Sequence, residues 1–218
     1  MTFPIVAFPG GANLTLSLSG HQESASGSSS YTFNYTFSTA NPGRIIIGIA
    51  SWLMVSGAAI TVGMTIGGIA ATPLGGIVGS LGAAQMALFY AVVPTNANQT
   101  AVVNFSRNAS ECGCALYDLE GASAVHAAIT TGSSPPFSAT VNVPAGGCAL
   151  GASFGQGSGS TANTWTGISK DFDTQITSNR PYSGAHGNFP FGSAGLVVTD
   201  TLNGTPSQQV TSLVVFSP

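Results

Sequence analysis

Between Arg44 and Arg107 the chain carries no Asp, Glu, Lys, Arg or His. The apolar heart of this stretch runs from RIIIGIASW (44–52) to QMALFYAVVP (85–94). Two structures can bury such a run. A membrane-crossing helix needs about 18 or more apolar residues in succession. Short apolar runs bounded by Gly, Pro and Asn are instead strands buried on both faces. Three features select strands. Glycines recur at positions 48, 57, 63, 67, 68, 75, 76, 79 and 82, and each costs about 1 kcal/mol relative to Ala inside a helix. In ITVGMTI (60–66), Ile60, Val62, Met64 and Ile66 share one face and the threonines take the other, which is the period of a strand. No Lys/Arg cluster flanks either end to fix an orientation in a membrane. Buried strands are expected here, with no membrane span.

Charged residues make up only 5% of the 218 residues, against about 25% in ordinary globular chains. The surface therefore has to be built from Ser, Thr, Asn, Gln, Gly and Ala. Such a surface offers little electrostatic steering and little repulsion between copies, which suits a protein packed against neighbours better than a freely diffusing enzyme. The four bases, Arg44, Arg107, Lys170 and Arg180, are scattered. A phosphate-binding face needs them clustered, so no nucleic-acid partner is expected. The length suffices to bury about 70% of the unfolded surface without disulfides or metals. Cys112, Cys114 and Cys148 are an odd count and read as small buried hydrophobes, since a metal site would need a fourth Cys or a nearby His. The opening MTFP lacks the basic and apolar regions of a signal peptide, so folding in a reducing cytoplasm is expected.

Strands are expected at 3–8 (FPIVAF) and 13–19, where Leu14, Leu16 and Leu18 alternate with polar residues. A polar loop follows over 20–30, then a stripe of Tyr31, Phe33, Tyr35 and Phe37 on one core-facing side. Beyond the central stretch, strands are expected at 100–105, 113–119, 137–143, 148–154, 164–168, 194–201 and 208–216. A small-residue connection over 121–135, a turn at 144–147, a Gly/Ser loop at 155–163 and a variable segment to 190 separate them. About twelve strands with almost no helical period define an all-β chain, a two-sheet β-sandwich of jelly-roll type. Residues 43–218 form the sandwich domain. Residues 1–42 supply N-terminal strands continuous with it, or a docking arm.

Chemistry-bearing motifs are sparse. No Gly-x-Ser-x-Gly elbow, phosphate loop or zinc helix is present. Asp171 and Asp173 share a face if extended, but one such pair falls short of the six to eight oxygens that Ca²⁺ takes. They read as a solvated strand end, as do Asp118 and Glu120. His21, His126 and His186 are placed in loops, as surface residues. Cys114 with His126 or His186 would make a nucleophile–base pair, though nothing in the sequence brings them together. Trp165, Tyr182, His186 and Phe189 are the candidate ligand residues, able to stack on a sugar ring. The competing reading packs Trp165 into the core and the others into loops. No catalytic residue, cofactor or metal ligand is assigned.

A series of segments occurs in a familiar order: RIIIGI (44–49), MTIGGIAAT (64–72), YAVVP (90–94), QTAVVNFS (99–106), ALYDLEG (115–121), VPAGG (143–147) and TWTG (164–167). Over residues 43–216 the chain resembles a loosely defined family of β-sandwich proteins encoded among the structural genes of tailed bacteriophages and prophages. The resemblance implies a virion component without enzymatic activity, made in the bacterial host cytoplasm. It would sit on the particle exterior, as capsid decoration or cement or as a head fibre. Its partners would be other virion proteins of capsid or tail and copies of itself, held by symmetric assembly. A second function class is a tail-fibre or receptor-binding module that recognises a host-surface glycan, with its ligand residues in the 155–193 region.

Overall fold

The computed structural model describes residues 13–37, 42–54, 60–79, 84–94, 97–133 and 135–218. The strand expected at 3–8 lies outside them. The described residues are all-β, with no helix. The first sheet contains β1 (Thr15–Ser24), β2 (Ser28–Phe37), β3 (Ile45–Met54), β4 (Val62–Ile66), β5 (Ile69–Ala70), β6 (Thr72–Pro73), β7 (Val78–Gly79), β8 (Ala84–Val92) and β9 (Ala97–Glu120). Next in the chain come β10 (His126–Gly132), β11 (Phe137–Val143), β12 (Gly147–Ser158) and β13 (Asn163–Thr166). The last four are β14 (Ser169–Thr177), β15 (Arg180–Phe189), β16 (Ser193–Leu202) and β17 (Thr205–Ser217). A second sheet has the order β10-β17-β12-β15-β14, and a third the order β11-β16-β13.

Strand β9, 24 residues long, is the spine of the first sheet. Its N-terminal half pairs with β2 and β4, and its C-terminal half with β1 and β3. The sheet closes nearly into a barrel. Its interior is one core, lined by the stripe Tyr31, Phe33, Tyr35 and Phe37 together with Trp52, Phe89 and Phe105. The opposite face of β3, β8 and β9 packs on the second sheet to form an inner core that includes Ile47, Tyr117, Leu150, Phe172, Tyr182 and Phe216. The second and third sheets enclose an outer core around Phe137, Trp165, Val198 and Leu213. The sandwich therefore gains a third sheet beyond the two expected.

This stacking explains the uncharged stretch. All ten residues of β3 are buried. Ile45, Ile47, Ile49 and Leu53 point into the inner core. Ile46, Ala50, Trp52 and Met54 point into the barrel. A strand between two cores has no polar face, so it shows no alternation; each fully buried Ile contributes roughly 2 kcal/mol. Glycines here let neighbours approach. A Cβ at Gly48 would run into the Met64 thioether, and one at Gly113 would lie 2.8 Å from the Tyr182 ring and 2.9 Å from Ile176 Cδ1. None of the helices that would cross a membrane is present among the described residues.

Several expectations are corrected. The polar loop expected at 20–30 shrinks to residues 25–27, because β1 and β2 both run along β9. Residues 13–37 are built into the first sheet, with Leu14 and Leu16 in the inner core. The segments 100–105 and 113–119 merge into β9, since Ser106, Arg107 and Asn108 between them are exposed while Ala109, Glu111 and Cys112 stay buried. The connection at 121–135 contains β10, and the variable segment is the hairpin β14–β15. The histidines therefore lie in strands rather than loops: His21 in β1, His126 at the start of β10 and His186 in β15. The small and polar residues of β10 hide it, because with six of its seven residues exposed burial leaves no periodic mark.

Candidate functional site

Ionisable side chains are scarce, and they gather along the seam where β1 and β9 of the first sheet meet β14 and β15 of the second. A bulge in β14 sets the geometry. Lys170 pairs with Ala185 and Phe172 with Gly184, leaving Asp171 as the extra residue. A bulge reorients the side chains around it, so Asp171 and Asp173 diverge instead of sharing a face. Asp171 turns toward the first sheet. Its Oδ2 accepts a hydrogen bond from the Tyr117 hydroxyl at 2.9 Å, and its Oδ1 lies 2.7 Å from His186 Nδ1. Asp173 turns the other way, accepting from the Asn163 N–H and from Lys170 Nζ at 2.8 Å. The two carboxylates do not converge on a common cation, and neither is a free strand end.

The seam carries three further ties. The His21 ring stacks on Phe172 with centroids 4.3 Å apart, and its Nδ1 lies 2.7 Å from Glu23 Oε1. Asn188 receives the Leu16 N–H and donates to the Leu16 carbonyl. Glu111, fully buried on β9, accepts from Arg180 Nη1 at 2.9 Å and from the Thr177 hydroxyl at 2.7 Å. Each tie joins the first sheet to the second, apart from the His21–Glu23 pair within β1. An Asp–His pair is the orienting half of a nucleophile–base array. Here the third member is Tyr117, whose pKa burial and the neighbouring Asp171 charge push up, so its hydroxyl stays a donor.

The four candidate ligand residues are divided between two cores. Tyr182 is fully buried in the inner core, and Trp165 is buried in the outer core, where its Nε1–H donates to Ser183 Oγ at 2.8 Å. Phe189 packs at the margin of the outer core. His186 is partly exposed and held by Asp171. Strand alternation sends Tyr182 and His186 to one face of the second sheet and Phe189 to the other, so the four form no single aromatic platform. Cys114 lies in the barrel core, away from the face that His186 occupies. Burial pushes the Cys114 and Cys148 thiols up to about 12, which leaves them protonated and poorly nucleophilic. No group of three or more potential metal ligands occurs among the described residues.

No family model matches the chain, and no curated protein matches it. Its own geometry carries the functional reading.

Two features carried no sequence signal. The outer core is polar at one end: buried Asp200 accepts from Gln209 Nε2 and from the Thr211 hydroxyl at 3.1 Å. Burial pushes its carboxyl up to about 6, against the lowering effect of these hydrogen bonds. At the loop end of the second sheet, an open groove of roughly 330 Å³ is lined by Gln156, Ser158, Ser178, Asn179, Arg180 and Ser207. Asn179, at φ 62°, adopts the left-handed conformation that its hairpin turn requires. The side chain of Asn179 accepts the Gly159 N–H at 3.1 Å.

Proposed function

We propose that this chain is a non-enzymatic structural protein of the exterior of a tailed-bacteriophage virion, of the capsid-decoration or head-fibre type, acting by symmetric assembly. The observation that carries this reading is the use of charge. Asp171, Glu111 and Arg180 hold one sheet to another, and His186 pairs with Asp171 beside them. The edge strand β10 carries no Lys, Arg, Asp or Glu, and six of its seven residues are exposed. Uncharged, hydrogen-bonding surfaces favour contacts repeated by symmetry over steered encounters with small ligands. The resemblance read from the order of the sequence segments implies the same, with partners in the capsid or tail and further copies of the chain. Particles purified from a host that carries the gene should contain the chain in many surface-accessible copies. Recovery of the chain in the soluble cell fraction alone would overturn the reading.

The groove beside Arg180 favours a second reading, a carbohydrate-recognition module. Its hydroxyl and amide side chains suit the hydroxyl groups of a host-surface glycan. Asn179→Ala with Ser207→Ala should then reduce adsorption to host cells while particles stay intact. Unchanged adsorption assigns the groove to packing alone.

A further inference from the structure

Sheet edges expose unpaired N–H and C=O groups, and stable proteins blunt them with short strands, bulges, charges or side-chain covers. Nearly every edge in the described residues carries such a device. β5, β6 and β7 are two residues long, and β13 has four. The ladder of β11 with β16 is interrupted between Val141 and Val143, with the extra residue on β16. β1 is bulged between Leu18 and Gly20 and carries His21 and Glu23. The ladder of β2 with β9 breaks near Ser28, and the Gln22 amide covers the β2 backbone at Asn34. β14 is bulged twice and carries Lys170, Asp171 and Asp173.

β10 carries none of them. Its seven residues, HAAITTG, pair with β17 in unbroken register from His126↔Ser217 to Gly132↔Thr211. The strand has no Pro, Lys, Arg, Asp or Glu, and six of its residues are exposed. Among the described residues no side chain hydrogen-bonds its outward backbone. The sequence is also self-complementary. In an antiparallel pairing centred on Ile129, His126 faces Gly132, Ala127 faces Thr131, Ala128 faces Thr130 and Ile129 faces itself. No like charges oppose one another across this register, and the one bulky polar side chain, His126, falls opposite a residue with no side chain.

We propose that β10 pairs antiparallel with β10 of a second copy about a two-fold axis at Ile129, fusing two five-stranded sheets into one continuous sheet. This rests on the assembly reading above and names the surface that carries it. Backbone hydrogen bonds supply the affinity, as in other strand additions, and the isologous geometry closes the dimer.

The test uses the full chain with Ile129→Lys, with Ile129→Glu, and with the two variants mixed. Circular dichroism and thermal melting check that each variant keeps the fold, since Ile129 is 36% exposed. In sedimentation, the native chain should form dimers or even-numbered oligomers. Each variant should dissociate at least about tenfold more readily, because like charges meet at the axis. An equimolar mixture should recover association, because Lys then faces Glu. Variants that associate as well as the native chain, or a mixture that fails to recover, overturn the β10 pairing while leaving virion assembly through another surface standing. Open filaments that survive both substitutions do the same. A native chain that stays monomeric at high concentration and is missing from particles overturns the assembly reading together with the pairing.

Discussion

The second sheet ends on one side in β14 and on the other in β10, and the two edges are made of opposite materials. β14 has two bulges, three charged residues, and a line of ties to the first sheet through Asp171, Phe172 and Thr177. β10 has an unbroken register, small and β-branched side chains, and exposed faces. The β14 side satisfies its polar groups internally and so closes the sandwich. The β10 side leaves its backbone available. Along the seam charge acts as a fastener between layers, whereas β10 carries no Lys, Arg, Asp or Glu.

Three substitutions separate the two sides, and a fourth probes the outer core. The largest effect is expected from Arg180→Met, which leaves the fully buried Glu111 carboxylate without its cation. It should cost roughly 3 kcal/mol in urea unfolding, and adding Glu111→Gln should restore much of that loss.

Asp200 tests the polar end of the outer core, where the charge of Asp173 also reaches it. Its folded-state pKa, raised to about 6 from an ordinary 3.8, means that the native chain keeps a proton that the unfolded chain releases. The contribution of Asp200 is therefore most favourable below the unfolded value, and it is lost as pH rises from about 4 to about 6, by roughly 3 kcal/mol in total. Asp200→Asn should remove this slope and raise stability at pH 7. Urea midpoints of the two proteins compared across that range isolate the effect from the other carboxylates.

Tyr117→Phe removes the donor to Asp171 and should lower stability by about 2 kcal/mol, read as a drop in melting temperature. On the opposite edge, Thr130→Lys touches no tie. It should leave the urea midpoint of the dilute chain within about 0.5 kcal/mol of the native value. A large loss there would make β10 a structural edge like β14 and erase the contrast.

Much of the fold was legible in the sequence. The alternation of Phe137 to Val143, the turn at 144–147 and the aromatic stripe 31–37 each matched a burial pattern. The run 45–54 was readable as strand because both of its faces are apolar. β10 was not legible, since AAITT without a buried face looks like a connection. The seam was not legible either. Tyr117 and Asp171 are 54 residues apart, and the pair Asp171–His186 depends on a bulge that sequence spacing does not encode. Trp165 and Tyr182 stood out as a ligand pair because aromatics beside ionisable groups suggest a pocket. Strand register instead sent them into separate cores.

Hydrogen exchange at the backbone of β10 and β14, compared between dilute and concentrated chain, tests the central contrast most directly. Every second amide of an edge strand points outward, and a neighbouring strand protects it. The outward amides of β10 should become protected as concentration rises, while those of β14 keep the same rates. Exchange in β10 that stays fast at all concentrations, or protection that appears along β14 instead, would contradict the assignment of β10 as the open edge.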